Sequence, residues 1–225
     1  ASGNLNWTQQ VGSPSDDYGQ SVAVDASGNI YISGYTEGDF VAPSAGGTDA
    51  FLTKFDASGA ELWSRQIGTD GTDRSWAVAV DDSGDVYITG ETRGDLGGTN
   101  AGGSDAFLTK FDASGNELWS RQIGTDTYDE SYAVSVDAFG NVYISGSTEG
   151  DLDGTNAGDY DAFLTKFDSL GNELWTQQLG TAYDDLGLAV TVDRAGNVYI
   201  SGYSAGDLGG TSAGGYDAFL VMFEN

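Results

Sequence analysis

Short runs of alternating apolar and polar residues recur along the chain. In the first unit they fall at residues 20–25 (QSVAVD), 29–35 (NIYISGY), 50–55 (AFLTKF) and 61–67 (ELWSRQI). All are rich in the β-branched and aromatic residues that suit a pleated, half-buried surface. Val22 and Val24 fall on one face of such a run, Ala23 and Asp25 on the other. No window shows a capped helical period, so the pattern predicts strands alone.

The runs repeat without a slip of register. Trp7, Trp63, Trp119 and Trp175 are spaced 56 residues apart, as are Asp25, Asp81, Asp137 and Asp193, and Phe51, Phe107, Phe163 and Phe219. Within a unit, DASGN (25–29) and DASG (56–59) read as tight hairpins, because Asp and Asn tolerate turn geometry and Gly supplies positive φ. The connections at 12–18 and 37–49 are longer and hold both prolines, Pro14 and Pro43. Four antiparallel strands per repeat is the pattern of a propeller blade. The prediction is an all-β propeller of four 56-residue repeats, at about 12–67, 68–123, 124–179 and 180–225.

The chain opens on a lone fourth-strand sequence, SGNLNWTQQVG, and finishes on a third strand, DAFLVMF. The N-terminal strand, residues 1–11, is expected to complete the last blade and remove two open sheet edges. Closure within one chain gives a four-bladed ring. Closure between chains gives an eight-bladed dimer or an open series of subunits. The sequence leaves these alternatives open.

The run V-D-x-x-G-N-x-Y-I-x-G, followed by D-A-F-L-T-K-F-D-x-x-G, stands here at 24–34 and 49–59 and returns at each step. It resembles the bacterial β-propeller repeat often called SBBP, over essentially the whole chain. That resemblance implies a secreted or cell-surface protein of bacterial or archaeal type, a structural scaffold rather than an enzyme. It carries over no catalytic residue. The family is usually pictured as rings of more blades than four.

Charge and composition narrow the chemistry. The 35 acidic residues against 8 basic ones give a net charge of −27. Nucleic acid and anionic membrane surfaces are repelled, and no run is long enough for a membrane helix. The chain begins at Ala1 without Met, so a removed leader is one reading of its start. Cys and His are both absent, which excludes thiol nucleophiles, His-based metal sites and the commonest general base. A carboxylate-pair glycosidase needs two differently tuned groups in one cleft, whereas the candidate Asp residues are copied four times. The chain is therefore expected not to be an enzyme.

Three Asp sets recur on the connections expected to share one rim. Asp17, Asp73, Asp129 and Asp185 precede the first strand. Asp39, Asp95, Asp151 and Asp207 open the long loop, and Asp49, Asp105, Asp161 and Asp217 end it. Calcium takes six to eight oxygen ligands with tolerant geometry, and a Gly-rich loop bracketed by Asp, such as 94–105, can supply them. The alternative is that these carboxylates satisfy loop N–H groups as Asx turns.

Positions that differ between units mark a second candidate. Tyr18, Arg74, Glu130 and Leu186 occupy one such position, and Gln20, Trp76, Tyr132 and Leu188 another, at the start of the innermost strand. Repeated scaffold with a variable rim is where a specific partner would be read. The expected role is a structural or assembly module of the cell exterior, stabilised by calcium and self-associating by strand exchange. The alternative is a lectin-like propeller that binds carbohydrate or protein. The expected partners are the chain itself, another extracellular protein, or a polysaccharide.

Overall fold

A computed structural model describes residues 3–224. Its first sheet is β1 (Asp17–Val24), β2 (Ile30–Thr36), β3 (Asp49–Phe55) and β4 (Glu61–Ile67). The second is β5 (Asp73–Val80), β6 (Val86–Thr92), β7 (Asp105–Phe111) and β8 (Glu117–Ile123). The third is β9 (Asp129–Val136), β10 (Val142–Thr148), β11 (Asp161–Phe167) and β12 (Glu173–Leu179). The fourth has three strands, β13 (Asp185–Val192), β14 (Val198–Ser204) and β15 (Asp217–Phe223). Each sheet is an antiparallel meander in chain order, and there is no helix among the described residues. These are propeller blades. Each first strand starts three residues before the predicted run, so Asp17 and Asp49 open strands rather than flank them.

The tight hairpins form for the reason the sequence suggests. Asp25 Oδ1 accepts the N–H groups of Ser27 and Asn29, both at 2.9 Å, and Gly28 adopts φ +83°. Asp81, Asp137 and Asp193 build the same turn.

The core lies between blades. Tyr31, Ala50 and Leu52 of the first blade pack with Val78, Val86, Ile88, Phe107 and Phe111 of the second. The next junction repeats the arrangement with Tyr87, Leu108, Val142, Ile144, Phe163 and Phe167. Trp63 extends the first seal outward, lying on Gly115 of the next blade and donating from Nε1 to the Ala113 carbonyl at 3.3 Å, and Trp119 lies likewise on Gly171. First strands pack beside one another, β1 with β5, β5 with β9 and β9 with β13.

The expected terminal closure is not what the structure shows. Residues 3–11 form no strand, and β15 pairs with β14 alone among the described residues. Ala1, Ser2 and Asn225, which that closure also invoked, lie outside the described residues. Trp7 instead lies on Gly59, as Trp63 lies on Gly115. The N-terminal segment thus occupies a fourth-strand place ahead of the first blade. Both outer faces of the array stay uncovered. Leu52, Leu108 and Leu164 are buried, but their counterpart Leu220 is 73% exposed. Val22 is 64% exposed where Val78 is buried. Among the described residues the first and fourth blades share none of the extensive strand packing seen at the other three junctions.

Candidate functional site

Each first strand carries a β-bulge, and the bulge decides which residues are displayed. In β5 the pairing steps from Ser75–Gly90 to Ala77–Thr89, leaving Trp76 without a partner. Gln20, Tyr132 and Leu188 are left out in the same way. A glycine opposite makes this possible, because a Cβ on Gly34, Gly90, Gly146 or Gly202 would overlap the carbonyl of Tyr18, Arg74, Glu130 or Leu186. Bulges re-aim side chains. Here the repeated glycine builds the bulge and the unrepeated residues are what it presents.

The displayed residues interlock across blades. Tyr18 stacks on Tyr35 with centroids 4.8 Å apart, and Tyr35 meets Trp76 edge-on at 5.7 Å. The Arg74 guanidinium sits 5.2 Å over the Tyr35 ring and pairs with Glu91 at 2.9 Å. Tyr132 donates to Glu130 at 2.9 Å and accepts from Ser147 at 3.3 Å. Burial pushes the Glu130 carboxyl above the usual carboxylate range, and the neighbouring Glu91 charge adds to the rise. Burial likewise raises the Tyr132 hydroxyl, helped by Glu130. Glu91 is unrepeated, standing where the other blades have Tyr35, Ser147 and Tyr203. Its signal in the sequence was this departure from the repeat. Leu186 and Leu188, in the fourth blade, join none of these polar contacts; Leu188 is 43% exposed.

The three Asp sets stand on the rim where the long loops gather, and each makes a distinct set of hydrogen bonds. Asp73 Oδ2 accepts from the Thr69 N–H at 2.6 Å and the Thr69 hydroxyl at 2.8 Å, and its Oδ1 accepts from the Thr92 hydroxyl. Asp17, Asp129 and Asp185 hold Ser13, Thr125 and Thr181 in the same way. Asp39, Asp95, Asp151 and Asp207 each accept one N–H from five residues on, those of Ser44, Asn100, Asn156 and Ser212. Asp49, Asp105, Asp161 and Asp217 accept the N–H of Ala45, Ala101, Ala157 and Ala213. These are Asx-type loop contacts. Among the described residues no three carboxylates converge in a way that could hold a metal ion.

The rim does bring carboxylates together in pairs. The Asp73 N–H donates to Thr48 O at 2.7 Å across the blade junction, which places Asp73 beside Asp49. Burial pushes the Asp73 carboxyl up, opposed by its hydrogen bonds, and the Asp49 charge adds to the rise. Asp129 behaves alike beside Asp105. Oδ1 of Asp49, Asp105, Asp129, Asp161 and Asp185 is buried without a hydrogen-bond partner.

One group was not singled out from the sequence. Gln66 Nε2 donates to Asp49 Oδ2 at 2.6 Å and to Gly38 O at 3.1 Å, while its Oε1 accepts from Phe40 and Val41. Gln122 and Gln178 do the same in the next two blades. In the fourth blade that place is a cavity of about 340 Å³ between the 206–213 loop and β15, and Ser212 supplies the side-chain bond to Asp217. Recurrence of Gln10, Gln66, Gln122 and Gln178 at the repeat interval was the available signal.

Among curated proteins, the chain is 31% identical over 160 residues to the regulatory protein FlaEY of Caulobacter vibrioides, covering 64% of this chain and 17% of that one. It is 23% identical over 235 residues to an uncharacterized WD repeat-containing protein of Acanthamoeba polyphaga mimivirus, covering 85% and 16%. The chain thus spans about a sixth of the length of these relatives. Among solved structures, a protein of unknown function from Bacteroides caccae superposes with a TM-score of 0.50 at 10% identity, over 85% of this chain and 58% of that one. That likeness concerns the fold alone. The SBBP β-propeller repeat matches residues 6–40, 62–97, 118–153 and 174–209, each match beginning in a Trp-bearing fourth-strand segment and running into the next blade. On those four matches, the chain belongs to the SBBP β-propeller repeat family.

Proposed function

We propose that the chain is a non-catalytic structural module of the cell exterior, whose blades are completed by exchange of the Trp-bearing strand between copies. The observation that carries this reading is the pairing of a bare edge with an unfilled glutamine place. β15 exposes Leu220 and Met222, and the cavity beside it lies where the other blades seat Gln66, Gln122 and Gln178. Residues 5–11 carry Trp7 and Gln10 at the matching interval and pair with no strand of the described chain. A bare edge is an unstable feature that another strand covers. Docking the fourth blade of one copy on the first blade of another would also bury Leu220 and Val22, at roughly 1.5–3 kcal/mol for each fully covered side chain. Calcium at the acidic rim is a further element of the reading, resting on the carboxylate pairs Asp49 with Asp73 and Asp105 with Asp129 rather than on any larger cluster, because bound cations offset the self-repulsion of a −27 chain.

Sedimentation velocity over a hundredfold concentration range tests the exchange. Reversible association is expected, weakened at least tenfold by Gln10→Ala and by Trp7→Ala, with β15 amides protected from hydrogen exchange only in the associated form. A protein that stays monomeric throughout, or variants that associate like the parent, would overturn it.

A further inference from the structure

We propose that Tyr18, Tyr35, Arg74, Trp76, Glu91 and Glu130 form a binding site for a neutral saccharide. The site lies on the bulged first strands and the β2 and β6 positions beside them, apart from the β15 edge, and it does not depend on strand exchange. Its first support is asymmetry. The bulge recurs in every blade, yet the six side chains come from three blades, and only Tyr35 has an identical counterpart, Tyr203 of the fourth blade.

The second support is hydrogen-bonding capacity that the protein leaves unused. Arg74 Nε and Trp76 Nε1 are donors without acceptors, and Glu91 Oε2 is an acceptor without a donor. Glu91 itself is 2% exposed. Leaving such groups unpaired is costly, about 1–3 kcal/mol each. The Arg74 and Trp76 side chains are half-buried, so each reaches the surface while its unpaired atom lies beneath it. Arg74 is meanwhile held from two sides, by the Glu91 carboxylate and by the Tyr35 face. A guanidinium fixed in this way is preorganised, which lowers the ordering cost of binding.

The ligand class follows from what the six groups offer. Sugar hydroxyls both donate and accept, which matches two free donors beside a free acceptor. The apolar C–H face of a pyranose fits an exposed aromatic ring, and Tyr18 is 41% exposed. Charge selects against the alternatives. Arg74, with Arg93 nearby, offsets the Glu91 and Glu130 carboxylates at the centre of the site. An anionic polymer is repelled by the whole chain.

Native electrophoresis of the whole chain through gels containing dextran, laminarin, galactomannan or xyloglucan, with alginate as an anionic comparison, tests the proposal. Retardation is expected in at least one neutral gel. Arg74→Ala and Trp76→Ala should each weaken it at least tenfold, and Tyr18→Ala several-fold. Leu188→Ala, on the bulge of the fourth blade, should migrate like the parent. Tyr18 is exposed, so its variant is expected to keep the parent circular dichroism and melting curve and to remain informative if Arg74→Ala does not fold. The added saccharide should also change Trp fluorescence in the parent and not in Trp76→Ala. Free migration in every neutral gel, retardation by alginate alone, or unaltered retardation of a folded Tyr18 or Arg74 variant would overturn the assignment.

Discussion

The Gln122 amide donates to the Asp105 carboxylate across 2.8 Å, and the same side chain gathers the long loop that precedes it. Its Oε1 accepts the N–H groups of Leu96 and Gly97, at 3.0 and 3.2 Å, and its Nε2 also reaches Gly94 O. One outer-strand residue therefore fixes a loop whose backbone groups have few other partners. Gln122→Ala should cost about 2–4 kcal/mol, since buried groups left unpaired lose about 1–3 kcal/mol each. Gln122→Glu should cost more at neutral pH, because it replaces a donor with a second negative charge against Asp105. That excess should shrink in acid. Denaturant unfolding at two pH values measures both effects.

The bulge makes a second, independent prediction. A Cβ on Gly90 would overlap the Arg74 carbonyl. Relief requires β5 and β6 to separate or the bulge to straighten. Overpacking of this kind costs about 1–3 kcal/mol. Gly90→Ala should lower the melting temperature and alter the near-ultraviolet circular dichroism, because Trp76 loses its setting beside Tyr35. A variant with the parent spectrum would show that the bulge does not position Trp76.

How legible was this in the chain? The 56-residue interval, the four strands per unit and the Asp-Gly hairpins could all be read directly, because each rests on local chemistry repeated without interruption. The variable rim was visible as departure from the repeat at Tyr18, Arg74 and Trp76. The bulge was not: Gly34 recurs at every 56-residue step, which signals positive φ or close packing, but its particular role appears only when the Tyr18 carbonyl is placed against it. Gln66 was missed because a flexible polar residue on an outer strand gives no propensity signal. Its partners Gly38 and Asp49 lie 28 and 17 residues away. Closure was beyond sequence altogether, because it depends on how steeply one blade turns from the next.

Asp112 and Asp168, in the hairpins between third and fourth strands, should contribute to acid stability. The Asn116 side-chain amide, followed by its backbone N–H, holds the Asp112 carboxyl below the usual range, and Asn172 does the same for Asp168. A group with a lowered folded pKa contributes stability above its unfolded value of about 3.9 and loses it as pH falls through the folded value. Asp112→Asn should therefore cost stability near pH 7 and progressively less below about pH 4. Melting curves of variant and parent across that interval should converge at the acid end. A constant difference would mean that geometry, not ionisation, sets the contribution of Asp112.

Asp129 has the opposite sign. Burial raises its carboxyl, and Asp105 adds to the rise. A group with a raised folded pKa contributes stability that is complete below the unfolded value and is lost as pH climbs through the folded one. In the absence of divalent ions, Asp129→Asn should therefore be neutral or stabilising at pH 7. An amide oxygen still accepts from Thr125, and the like charge facing Asp105 is gone. If calcium occupies the junction in solution, the substitution reverses its effect. The cation stabilises the parent by mass action, and the variant loses that gain. The comparison belongs near 1 M monovalent salt, where the screening length is about 3 Å and general charge screening is already spent. A calcium-dependent rise in melting temperature in the parent, absent from Asp129→Asn, would support a cation between blades. Equal response to Ca²⁺ and Mg²⁺, or none from either, would assign the Asp105 and Asp129 pair to loop formation, and the calcium reading would fall with it.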